Sequence, residues 1–155
     1  MFLKRLKSSA GFTYLAALML IMLSGIMLGL AGRTWKQVMQ REKEEELLFR
    51  GKQIYDAIYR WNKPLPGQHP PTNLSELSYL LKDPRTAGTR RYLRKLYKDP
   101  MTGEEWVLIK DPVRGVIGVA SASGEEPIKQ ANFPDEFKDF EGKTKYSDWK
   151  FVIKP

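Results

Sequence analysis

FTYLAALMLIMLSGIMLGLAG, residues 12–32, contains no Asp, Glu, Lys, Arg or His, whereas the rest of the 155-residue chain is dense in charge. A helix needs about 20 apolar residues to cross the hydrocarbon core of a bilayer, and this run is long enough. Lys4, Arg5 and Lys7 precede it with no acidic residue among them, and positive charge favours the cytoplasmic side. Arg33 and Lys36 reduce the contrast, but Glu42, Glu44, Glu45 and Glu46 follow closely. The expected topology is therefore a single pass with a cytoplasmic N-terminus. An ordinary secretory signal has a shorter apolar stretch followed by a small-residue cleavage site, and Ala31-Gly32 is a poor match to one. A plain anchor explains the length but not the abrupt junction Ser8-Ser9-Ala10-Gly11-Phe12-Thr13.

That junction, read as Lys7-Ser8-Ser9-Ala10-Gly11-Phe12-Thr13-Tyr14-Leu15, resembles the prepilin-type motif of type IV pilins and type II secretion pseudopilins. The resemblance implies a bacterial inner-membrane protein with its C-terminal domain in the periplasm, destined for a periplasmic or extracellular filament. It implies a leader, residues 1–11, removed by a membrane-embedded prepilin peptidase that cuts between Gly11 and Phe12, with N-methylation of Phe12. The implied partners are that peptidase, other pilins or pseudopilins, and an inner-membrane assembly platform. Family members usually carry Glu at the fifth residue after the cut; here that position is Ala16. In the family this Glu neutralises a neighbouring subunit's N-terminal ammonium inside the apolar filament core, where an unpaired charge is costly. A subunit without it cannot draw itself to the subunit above, so the expected role is a minor, tip or initiating subunit. The resemblance is specific over the leader and apolar run, and by pattern only beyond them.

Within the run, Gly25 and Gly29 form a small-xxx-small pair with Ser24 and Gly32 nearby, a spacing that lets helix backbones pack closely in lipid. No Pro lies between Thr34 and Trp61, and the only Gly there is Gly51. Leu47, Ile54, Ile58 and Trp61 recur at helical spacing and draw one apolar stripe. Glu46–Arg50 and Asp56–Arg60 are acid-before-base pairs four apart. The expected helix runs from Thr13 to Trp61, roughly 75 Å at 1.5 Å per residue. Residues 41–46 (REKEEE) read as a solvated helix face rather than a metal site. The expected divisions are leader 1–11, transmembrane segment 12–33, amphipathic stem 34–63 and head 64–155.

Pro64, Pro66, Gly67, Pro70 and Pro71 end the stem in a turn-rich loop. Asn73-Leu74-Ser75-Glu76 has capping-box spacing and predicts a short helix through Leu81. A second short helix is expected from Thr89 to Tyr97, with Tyr92, Leu93 and Leu96 inward. The turn from Lys98 to Gly103 introduces a strand over 106–109, followed by strands over 115–119 and 146–153. Residues 121–144 read as a long surface loop and a partner-contacting surface. The expected fold class is α+β: a long N-terminal helix packed on a small antiparallel sheet.

The chain lacks Cys, and His69 is its only histidine, set in the loop signal Gly67-Gln68-His69-Pro70-Pro71. No thiolate chemistry and no paired-His metal site follow, and no phosphate-binding glycine loop or nucleophile elbow appears. Some major pseudopilins bind calcium in a C-terminal loop. Here Asp135, Glu136, Asp139 and Glu141 lack the compact spacing of a calcium loop, and Lys138 and Lys143 intrude. No metal, cofactor or catalytic residue is expected, and the chain is read as structural rather than enzymatic. The net charge is +8, and Arg90, Arg91, Arg94 and Lys95 form its one cluster beyond the leader. This cluster reads as a solvated helix face, and nucleic acid is not the first choice of partner. The alternatives are a DNA-binding minor pilin for uptake, resting on those four cations, and an uncleaved single-pass scaffold.

Overall fold

The structure is a computed structural model that describes residues 10–63, 73–86 and 90–154, with side chains described for all of these except 10 and 30–34. Lys4, Arg5, Lys7, the loop around His69 and the expected helix start at Thr89 lie outside the described residues. The fold is α+β. In chain order it has a helix α1, Ala10–Trp61, and strands β1, Val107–Asp111, β2, Gly115–Ala120, and β3, Lys150–Val152. Short 3-10 segments at Leu77–Leu80, Asp135–Phe140 and Tyr146–Asp148 complete the order. The chain divides into two compact units, with the boundary between Gln40 and Arg41.

In the first unit, α1 contains one stretch, Gly11–Gly29, long and apolar enough to cross a membrane, with mean hydropathy 2.0. Its large side chains are exposed: Leu20 is 68% and Leu28 74% accessible. So many neighbouring apolar groups facing outward have no place in water.

In the second unit, residues 41–61 of α1 supply the core with Leu47, Ile54, Ala57, Ile58 and Trp61, all buried. The expected stripe is therefore the packing face. Arg50 bonds Glu46 as expected, whereas Asp56 and Arg60 form no ion pair among the described residues. Asn62 closes the helix, its side-chain nitrogen donating to the Ile58 carbonyl at 2.9 Å. The sheet is antiparallel in the order β1-β2-β3. Between β1 and β2 the Asp111 carboxylate accepts the N–H groups of Val113 and Arg114, each at 2.9 Å. Gly115 then takes φ +76°, and a Cβ there would lie 2.3 Å from the Leu74 carbonyl oxygen. Only glycine combines that backbone with that approach. Leu74 uses the space to make a parallel bridge to Gly115.

Four expectations change here. Asn73 to Glu76 do not cap a helix: Glu76 precedes the 3-10 turn without a side-chain cap bond, because Leu74 is committed to the sheet. No helix forms over residues 90–97; Tyr92 and Leu93 instead donate their N–H groups to the Leu80 carbonyl, both at 2.9 Å. Leu93 is buried and Tyr92 half-buried as expected, but Leu96 is 43% exposed. Residues 121–144 are not a surface loop, since Phe133, Phe137 and Phe140 from this segment enter the core. The third strand is short, and the residues before it form a 3-10 turn with Tyr146 buried.

Candidate functional site

The residues singled out at the N-terminal end lie on open helix surface. Gly11 and Phe12 lie within α1, a side chain at Gly11 would meet nothing within 4 Å, and Phe12 is 76% exposed. Gly25 and Gly29 are equally open: a methyl group added at either would meet no atom within 4 Å. Ser24 keeps its hydroxyl satisfied inside the helix by donating to the Leu20 carbonyl at 2.7 Å, which removes the cost of a bare hydroxyl in lipid. This surface can accept another helix closely, and the glycines set how closely.

Arg90, Arg91, Arg94 and Lys95 are all exposed, but on irregular chain rather than a helix. Among the described residues none of the four is in an ion pair. Two rest on neighbouring tyrosines: Arg90 lies 5.4 Å from the Tyr92 ring and Lys95 4.9 Å from the Tyr97 ring. Arg50 approaches Tyr97 from the stem, at 5.4 Å, and donates to the Lys98 carbonyl at 2.8 Å. Ring faces already covered by the chain's own cations are poor platforms for a nucleic-acid base.

The four C-terminal carboxylates do not converge. Asp135 pairs with Lys138, Glu136 with Lys52 and Asp139 with Lys154, each at 2.7 Å. Among the described residues no group of three acidic or histidine side chains is placed to hold a metal ion. A groove of about 440 Å³ beside β1 is lined by the apolar Leu77, Leu96 and Trp106 and by the charged Glu105, Lys98 and Lys110 among others.

Three polar groups that matter are not distinguished by the sequence. Glu44, placed on a solvated face, is only 2% exposed. Its carboxylate accepts the Lys129 N–H at 3.0 Å and so ties the stem to the segment after β2. Burial pushes its carboxyl above the ordinary range, against the opposing pull of the Lys129 and Ile128 N–H groups and of the Lys129 and Arg41 charges. The alternation of charge in residues 41–46 hides which acid faces inward. Asp83 is buried beneath Arg85 and Tyr92. Asp99, also buried, accepts the Met101 N–H at 2.9 Å, the Thr102 hydroxyl at 3.1 Å and the Ser121 hydroxyl at 2.7 Å. The Asp-Pro turn at Asp99 is legible, because such an Asp bonds the backbone two residues on; its reach to Ser121 is not.

Glu44 gives a testable sign. A carboxyl whose folded pKa is raised holds its proton more tightly in the folded chain, so stability falls as pH rises from the ordinary 4.5 through the folded value, then levels. Glu44→Gln is expected to remove that slope and to be at least as stable as the parent at neutral pH. Glu44→Ala strands the N–H groups instead and is expected to cost about 1–3 kcal/mol. Urea unfolding between pH 4 and 8 checks both; a Gln variant clearly weaker at neutral pH contradicts the assignment.

No family model, curated protein or solved structure matches the chain.

Proposed function

We propose that the chain is a pilin-like membrane subunit, a minor component at the tip or start of a type II secretion or type IV pilus filament, with a structural rather than enzymatic role. One observation carries this reading. A basic leader stops at Gly11-Phe12, an uncharged run of membrane length follows it in the sequence, and the helix that contains this run continues into the stem of an α+β head. A filament needs that division: apolar helices that exchange lipid for one another, and a stem whose apolar stripe carries a folded domain.

In this reading the N-terminus faces the cytoplasm, held by Lys4, Arg5 and Lys7, and the head lies in the periplasm. Prepilin peptidase cuts between Gly11 and Phe12, Phe12 is N-methylated, and the open Gly25/Gly29 surface packs against sister helices in the filament. Ala16 provides no carboxylate for a neighbour's ammonium, which favours a position with no subunit above. The assembly platform and other subunits are the partners; the chemistry is done to this chain by the peptidase.

Intact-mass measurement on the chain from its native membrane tests the reading. The expected mass is that of a chain beginning at Phe12, short of residues 1–11 and carrying one added methyl. Gly11→Leu is expected to stay at full length and to be absent from filaments. A full-length parent chain makes it an uncleaved single-pass scaffold and removes the pilin-like reading.

A further inference from the structure

The chain has four tryptophans, and three serve the head. Trp61, Trp106 and Trp149 are 1%, 6% and 0% exposed, whereas Trp35 is 70% exposed on α1. It is not alone: Val38 and Met39, three and four residues on, are 48% and 40% exposed. On a helix those spacings place them beside Trp35, so the three make a small outward apolar patch. All three belong to the same compact unit as the Gly11–Gly29 span.

The patch's distance from the span identifies what covers it. The uncharged run ends at Gly32 and the first charge is Arg33. Trp35 follows Gly32 by three residues, about 4.5 Å along the axis at 1.5 Å per residue. Helical side chains lean toward the N-terminus, which carries the indole back toward the span. The hydrocarbon core is about 30 Å thick and the bilayer with headgroups about 40–45 Å, leaving roughly 5–7 Å of headgroup on each side. The indole therefore falls in that layer. An indole suits it, with an apolar body for the acyl boundary and an N–H for the wet side. Lys36, exposed beside it, offers an ammonium to lipid phosphate.

The geometry points to Trp35, with Val38 and Met39 at its outer edge, as an interfacial anchor that docks in the phospholipid headgroup layer and fixes the depth of the span. This inference rests on the single-pass reading above. It adds a stop on the head side: sliding inward would bury Lys36, and sliding outward would expose the indole to water.

The test uses the full chain in phosphatidylcholine–phosphatidylglycerol vesicles containing lipids brominated either near the headgroup or near the acyl terminus. The expected result is a loss of tryptophan emission that is larger with the shallow bromines and disappears in Trp35→Phe, since the other three indoles are buried. A second probe, Leu20→Trp in the Trp35→Phe background, reports the span itself and is expected to lose emission with the deep bromines. If the Leu20→Trp probe is quenched and Trp35 is not, or Trp35 is quenched most by the deep bromines, the anchor is wrong and the span stands. If neither probe is quenched by either lipid, the span reading fails and takes the anchor with it.

Discussion

Phe151→Ala is expected to unfold the head under conditions where the parent chain is folded. Phe151 is fully buried on β3. Its ring meets Phe140 at 5.1 Å, Phe137 at 5.3 Å and Trp106 at 6.1 Å between centroids, all edge to face. It also lies directly against the backbone of α1: a Cβ at Gly51 would come within 2.4 Å of the ring. One side chain thus joins the stem, the sheet and the phenylalanines of residues 133–140. Phe→Ala in a core costs about 3–5 kcal/mol, a large fraction of the roughly 5–15 kcal/mol by which domains are stable. Phe49→Ala, 62% exposed on the same helix, is the comparison and is expected to change stability by no more than about 0.5 kcal/mol. Near-ultraviolet circular dichroism of the full chain in detergent, titrated with urea, reads both. Equal midpoints for the two variants would place the core elsewhere.

Asp83→Asn carries the second large effect. Asp83 is 1% exposed. It accepts Nε and Nη2 of Arg85, both at 2.9 Å, the Arg85 backbone N–H at 2.9 Å, and the Tyr92 hydroxyl at 3.0 Å. Arg85 in turn lies over Trp61, its guanidinium carbon 3.5 Å from the ring centroid, at the end of α1. Burial pushes the Asp83 carboxyl up, but the Arg85 and Tyr92 bonds outweigh it and hold the group below the ordinary carboxylate range. Removing the charge leaves a mostly buried guanidinium without its carboxylate, and breaking one side of a buried pair costs about 3–5 kcal/mol. A depressed carboxyl contributes stability in full above its unfolded value of 3.8, and that contribution is lost as pH falls through the lower folded value. The gap between parent and Asp83→Asn is therefore expected to be constant from neutral pH down to the ordinary range and to close below it. A gap that widens on acidification would reverse the assignment. Urea midpoints across that range, at constant ionic strength, supply the measurement.

These two nodes differ in how far the linear sequence exposes them. The stripe Leu47, Ile54, Ile58 and Trp61 is a local pattern, because helical spacing alone decides which residues share a face. The strands β1 and β2 are legible as well, since the aromatic and β-branched runs around the Asp111-Pro112 turn carry their own signal, whereas β3 is shorter than its run suggests. Phe133, Phe137 and Phe140 escape such a reading because the surrounding residues are rich in charge and interrupted by Gly, Ser and Pro. Their burial depends on Trp149 and Phe151, which they meet at 5.1–5.5 Å only after the chain has folded back. Residues 90–97 carry a helical spacing that loses to the Leu80 carbonyl, a partner in another segment.

The order of basic N-terminal segment, uncharged run and amphipathic stretch is legible in the sequence alone, because bilayer thickness and helix rise are constants that a residue count can meet. Which carboxylates are buried was decided by tertiary structure. Glu44 looks like any surface acid until Lys129, far along the chain, is brought to it. Asp83 has its partner Arg85 close in sequence, but the pair is buried only because Arg85 packs over Trp61 at the end of α1, and a buried charge is tolerated only where its hydrogen bonds are supplied.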